Sequence, residues 1–234
     1  MTMLTVATLN QYYGGSHILR DVSFALPPGK VTVMLGRNGV GKTTLLRTLM
    51  GLVPAKTGSV RFGERDLTRA RPDERARAGI GYVPQGREIF PRLTVDENLR
   101  IGLAVNSGAS GRKAYERVFD IFPVLKKMLR RRGGDLSGGQ QQQLAIGRAL
   151  VLEPTLLILD EPTEGIQPNI VHEIGDTIAR LNRELGMTVI LVEQKLPLAR
   201  RVADRFCVLD KGRAVAKGPM VELDDALVRR YLTV

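Results

Sequence analysis

KVTVMLGRNGVGKTTLLRTLMG, residues 30–51, decides the fold. KVTVMLG (30–36) reads as a buried strand, because its apolar residues are nearly continuous and a glycine follows. GRNGVGKTT (36–44) then matches G-x-x-x-x-G-K-[ST] at Gly36, Gly41, Lys42 and Thr43. The spacing predicts a helix from Lys42 to Gly51. Gly39 and Gly41 let the backbone turn without Cβ clashes, so its N–H groups converge on phosphate oxygens. The helix start adds partial positive charge. Lys42 is placed to reach the outer phosphates of a nucleotide, and the Thr43 hydroxyl to ligate Mg²⁺.

A second stretch answers the first. LLILDEPTEGIQP (156–168) is apolar for four residues and then abruptly acidic. Asp160 ends the strand and can help hold the Mg²⁺ that Thr43 ligates. Glu161 is one residue on and points elsewhere, where a carboxylate can orient and polarise an attacking water. Metal holder and water activator need different positions, and adjacency at a strand end supplies both.

Around these stretches, apolar β-branched runs alternate with helical ones. TLLILD (155–160) and TVILVE (188–193) read as further buried strands of a sheet covered on both faces. SVRFGE (59–64) and RFCVLDKGRAVAKG (205–218) look antiparallel, with DKG (210–212) a hairpin turn. Helices are predicted over Leu136–Leu152 and Asn169–Leu185, the latter opened by Pro168. Residues 85–135 mix helix with arginine-rich loop and read as a helical lobe.

The 234 residues suit one domain with a lobe. Hydrophobic content of 43% and charged content of 25% are those of a globular protein. No apolar run approaches the roughly 20 residues of a membrane span. The start MTMLTVATLNQYYGG lacks a basic, apolar leader, so a cytoplasmic chain is expected. The lone cysteine, Cys207, reads as a small core residue and excludes an internal disulfide. Net charge is +11, from 35 Lys+Arg against 24 Asp+Glu, which favours anionic partners. Arginines concentrate in RARPDERARAG (69–79) and KKMLRRRGG (126–134). The plain reading is a solvated helix face; the sharper ones are a membrane-facing surface or a nucleic-acid patch. Aromatics, at 5% and not interleaved with these runs, give base stacking little support, so no nucleic-acid partner is expected.

DLSGGQQQQLAIGRAL (135–150) selects a branch of the phosphate-loop proteins. Leu136, Ser137, Gly138, Gly139 and Gln140 match in full the signature of ABC transporter ATP-binding subunits, which the chain resembles over about residues 4–233. The resemblance implies an α/β phosphate-loop core with a mainly parallel sheet, an antiparallel β subdomain and a helical lobe. It implies one domain over 1–234, with the core in 1–84 and 154–234 and the lobe over about 85–153. The cofactors implied are ATP and Mg²⁺. Asn38, Gly39, Gly41, Lys42, Thr43 and Thr44, with Gly36, would cradle the nucleotide. Ser137, Gly138, Gly139 and Gln140 would serve the ATP of a partner chain across a dimer. Tyr13, with Tyr12 its neighbouring candidate, looks like the aromatic that stacks on adenine. Gln85 in YVPQGREIF (82–90) looks like the glutamine that touches Mg²⁺ and the attacking water.

Two positions depart from the family. Gln167 stands where an aspartate is usual, and Gln194, in LVEQK (191–195), where the switch histidine is usual. Glutamine can donate to phosphate but carries no transferable proton. The Gln194 departure, DEPTEGIQPNIV (160–171) and the closing VRRYLTV (228–234) resemble the smaller ATPases of branched-chain amino-acid and amide importers, most of all the urea importer's second ATPase. Implied partners are a second ATPase, identical or not, two integral-membrane permeases, and a periplasmic or extracellular solute-binding protein. The place implied is the cytoplasmic face of the plasma membrane, peripherally. A soluble ATPase acting on nucleic acid or ribosomes, and a regulatory subunit with little turnover, remain as other readings.

Overall fold

A computed structural model describes residues 2–104 and 108–232. The last two residues of the closing stretch 228–234 lie outside them. The strands are β1 Leu4–Tyr13, β2 Ser16–Leu26, β3 Val31–Leu35, β4 Thr57–Phe62, β5 Arg65–Asp66, β6 Ile80–Val83, β7 Leu156–Asp160, β8 Thr188–Val192, β9 Arg205–Asp210 and β10 Arg213–Pro219. The helices are α1 Lys42–Leu49, α2 Pro72–Arg77, α3 Val95–Leu103, α4 Ala109–Ile121, α5 Pro123–Lys127, α6 Gly138–Leu150, α7 Pro168–Leu185, α8 Leu196–Val202 and α9 Asp225–Tyr231.

The strands form two sheets. One runs β2-β1-β4-β5 and is antiparallel. The other runs β10-β9-β3-β8-β7-β6; it is parallel except for β10 at its edge. Every residue of β3, β7 and β8 is buried, as their unbroken apolar runs predict. Their side chains alternate between two cores. Val33, Leu157, Leu159 and Leu191 face one with α6 and α7, while Met34, Ile158 and Ile190 face α1 and the antiparallel sheet. Cys207 is buried in the second core, and burial pushes its thiol up to about 12. The turn between β9 and β10 sits where DKG predicts it, with Lys211 and Gly212 both at positive φ.

The long β1–β2 hairpin does not show in the sequence pattern. Thr8 and Asp21 have positive φ and the register shifts three times, so inward-facing residues do not alternate along the chain. Buried Asn10 ties these irregularities together, donating to Thr8 O, Asp21 Oδ1 and Thr57 Oγ1.

One arginine run is corrected. Arg75 is not on a solvated face. It is 2% exposed, and its guanidinium donates to the carbonyls of Ala70, Thr48, Leu49 and Thr68. It thereby closes the C-terminal end of α1, where carbonyls lack intrahelical partners. Its neighbours Arg71 and Arg77 are exposed and share Asp73.

Candidate functional site

Strand ends of the parallel sheet converge on one cleft. β3 delivers the phosphate loop, β6 delivers Gln85, β7 delivers Asp160 and Glu161, and β8 delivers Gln194. The cleft holds about 440 Å³. Asn38, Gly39, Gly41, Lys42, Thr43 and Thr44 line it, with Gln85, Glu161 and Gln194 facing them. Gly36 lies behind the loop; a Cβ there would meet Leu209 O at 2.4 Å, so only glycine lets the loop lie so close to β9.

α1 begins without a capping side chain. Gly41 occupies its N-cap at φ 105, and the first turn holds no acidic residue. The unpaired N–H groups of that turn therefore face the cleft's solvent, which favours an anion. Lys42 is 5% exposed and donates to Gly36 O at 2.7 Å and Arg37 O at 2.9 Å. Glu161 Oε1 lies 3.9 Å from the same ammonium. Burial lowers the Lys42 pKa, and the Glu161 and Asp160 carboxylates oppose that shift.

The two adjacent carboxylates diverge as their spacing predicts. Asp160 is 1% exposed beneath the cleft, and among the described residues no hydrogen bond of ordinary geometry reaches either of its oxygens, though the Thr43 hydroxyl lies close by. Burial pushes its carboxyl up to about 6, partly offset by the nearby Thr43 hydroxyl and Lys42. Glu161 instead lines the cleft. It takes φ 47, a left-handed conformation costly for a side-chain-bearing residue. Its N–H donates to Val192 O at 3.0 Å, fixing it across to β8. Gln194 then donates from Nε2 to Glu161 Oε1 at 2.7 Å. Its amide is engaged with that carboxylate here, where the sequence places it on the γ-phosphate. Gln85 donates to Glu164 Oε2 at 2.9 Å, which leaves its own carbonyl oxygen for another ligand. Glu164 and Ile18 line the cleft too, and the sequence reading gave neither a role.

The remaining predicted residues lie elsewhere. Ser137, Gly138, Gly139 and Gln140 are not in the cleft wall but at the start of α6. Ser137 Oγ accepts from Gln140 N, and Gln140 Oε1 accepts from Ser137 N, a reciprocal cap. Tyr13 is 46% exposed at the end of β1 and is likewise outside the wall. Tyr12 stacks on His17 with ring centroids 4.1 Å apart, so one face of its ring is occupied, while Tyr13 is somewhat the more exposed of the two. Gln167 takes the N-cap of α7 without a side-chain bond; Gly165 at φ 63 turns the chain there and Ile166 packs on the core.

The chain is similar to known proteins in sequence and in fold. The family described as ABC transporter matches residues 19–164. The high-affinity branched-chain amino acid transport ATP-binding protein BraG of Pseudomonas aeruginosa is 43% identical over 91% of each chain. The crystal structure of a nucleotide-free ATP-binding cassette from an ABC transporter superposes with a TM-score of 0.87, at 28% identity over the full length of both chains. A dimeric cassette in a post-hydrolysis state, bound to ADP and phosphate, superposes at 0.83, with 26% identity over 93% of this chain and 99% of that one.

Proposed function

We propose, from the premise that this chain belongs to the ABC transporter family and is an ATP-binding, ATP-hydrolysing subunit, that its cleft works on Mg²⁺-bound ATP to drive import of a branched-chain amino acid or a related amide such as urea. The observation that carries the chemistry is the meeting of an uncapped glycine loop with Lys42, Glu161, Gln85 and Gln194 in one cleft. The relative BraG supports an amino acid as solute, while the resemblance of residues 160–171 points to an amide.

The donor set suits Mg²⁺. Asp160 offers two buried oxygens, Thr43 a hydroxyl, and Gln85 the amide oxygen left free by Glu164. All are hard oxygen ligands of the kind that ion takes. When bound, it would neutralise charge on the terminal phosphates. The N–H groups of the loop and α1 hold the phosphates, and Lys42 moves from the loop carbonyls to the outer ones. Glu161 accepts a hydrogen bond from the attacking water and orients it, and Gln194 steadies Glu161. Tyr13, exposed at the end of β1, stacks on the base.

Ser137–Gln140 lie outside the chain's own cleft. A dimeric cassette among the structural relatives supports their serving a partner's ATP. The partner chain is a second ATPase, and permeases and a solute-binding protein complete the importer. No helix among the described residues is long and apolar enough to cross a membrane, so the permeases would hold this chain at the cytoplasmic face.

The test is Glu161→Gln. It should still bind ATP but hydrolyse it about 10²–10⁴-fold more slowly, the usual worth of a catalytic base. It should also elute as a dimer in Mg²⁺ and ATP by size exclusion. Undiminished turnover would move the base elsewhere.

A further inference from the structure

One buried acid takes no part in the chemistry above. Glu193 is 3% exposed, at the end of β8, next to Gln194. Its Oε1 accepts from the main-chain N–H of Gln194 at 2.9 Å and of Lys195 at 3.0 Å. Its Oε2 accepts from the hydroxyl of Thr163 at 2.6 Å. Thr163 is fully buried and lies two residues after Glu161. Lys195 Nζ donates in turn to Thr163 O at 3.0 Å. With the Gln194–Glu161 bond, three side-chain bonds thus run between the turn after β7 and the turn after β8.

A buried carboxylate is costly unless donors surround it. This one has three, and each comes from a turn that carries a cleft residue. One turn presents Glu161 and the other presents Gln194, and these two side chains meet at 2.7 Å. With both flanking N–H groups of the second turn on one oxygen, the Gln194 backbone has a single setting. With Thr163 on the other oxygen, that setting is referred to the Glu161 turn.

We propose that Glu193 is a positioning residue: it locks the Gln194 turn to the Glu161 turn, so that the Gln194 amide stays on the Glu161 carboxylate. The inference rests on the reading of Glu161 as the group that orients water. Glu193 itself touches neither nucleotide nor water.

A residue that acts only through Gln194 must lose its effect when Gln194 is gone. The experiment is therefore a double-mutant cycle on the full chain with Mg²⁺ and ATP, using Glu193→Ala, Gln194→Ala and the pair, with Glu161→Gln as the floor. Glu193→Ala should lower kcat about tenfold, the scale of one oriented hydrogen bond to a charged group, with KM for ATP within about twofold. The pair should be no slower than Gln194→Ala alone. Glu193→Gln should recover most of the rate, because its amide oxygen still accepts the two N–H groups and the Thr163 hydroxyl can turn to accept. Thr163→Val, which keeps the volume and removes the tether, should lower kcat like Glu193→Ala; it and Glu193→Gln decide the matter if the alanine variant does not fold. Additive losses in the pair, a rise in KM equal to the fall in kcat, or unchanged kcat in Thr163→Val would each overturn the proposal. Normal kcat in Glu193→Ala beside an inactive Glu161→Gln overturns this inference alone; an active Glu161→Gln overturns the site reading and this with it.

Discussion

α1 and α6 both begin beside glycines, and they treat their first turns in different ways. α1 starts at Gly41 with no side chain over its N–H groups. α6 starts at Ser137, whose hydroxyl and Gln140 partner cap each other. The first helix leaves its donors to a ligand, so an anion there answers a standing need. The second covers one of its donors, Gln140 N, with the Ser137 hydroxyl, so a phosphate approaching that donor must displace a bond already made. An open helix start and a partly capped one are thereby written into the same chain. This difference suits a machine in which each chain holds its own nucleotide throughout and closes on its neighbour's only when that nucleotide arrives.

The strongest way to break the contrast is Lys42→Ala. The ammonium donates to the loop carbonyls of Gly36 and Arg37 and lies beside Glu161. Without it the phosphates lose their main cationic partner. We expect MgATP affinity by calorimetry to fall roughly 100-fold, from about 3 kcal/mol of charge-assisted hydrogen bonding. Affinity kept within a few-fold would mean that the uncapped helix start suffices.

Asp160→Asn tests what the cleft demands beneath its phosphate cradle. Burial raises the Asp160 carboxyl to about 6 in the fold, against an ordinary value of 3.8. In metal-free buffer the unfolded chain therefore loses this proton first as pH rises. Stability falls between about pH 4 and pH 6 and stays lower above, by on the order of 2–3 kcal/mol. The asparagine variant lacks that loss. Denaturant unfolding in EDTA should show the variant gaining on the native chain across this window, and adding Mg²⁺ with ATP should stabilise the native chain more than the variant. A gap independent of pH would show that the carboxylate is not held at such expense.

What could be read from the sequence was contiguous. β3 with its loop, β7 with its acidic pair and β8 each carry their signal in one stretch, because a strand buried on both faces is apolar at every position. The β1–β2 hairpin was not legible, since bulges at Thr8 and Asp21 break the period that marks a strand. Arg75 was misread because a run of charges looks the same whether it meets water or the end of a helix. The link of Glu193 to Thr163 spans 30 residues, and nothing local announces it. The resemblance named the residues proposed to meet the nucleotide, while the side chains that hold those residues in place needed coordinates.

The smallest effect tests the other half of the contrast. Ser137→Ala removes the oxygen that accepts from Gln140 N on an exposed helix start. Losing such a cap typically costs about 1 kcal/mol, which for a chain of this size shifts the melting temperature by roughly 2–4 °C. Nucleotide affinity of the lone chain should stay within about twofold, because Ser137 is not in the wall of its own cleft. The consequence should appear between chains. Combined with Glu161→Gln, the substitution should weaken the proposed ATP-dependent dimer, in which that hydroxyl would be offered by one chain to the other's phosphate. Calorimetry on the single variant and size exclusion on the double one separate these outcomes. A loss of affinity in the lone chain as large as that of Lys42→Ala would show that the two helix starts serve one site in one molecule. The contrast between a standing demand and a conditional one would then be gone.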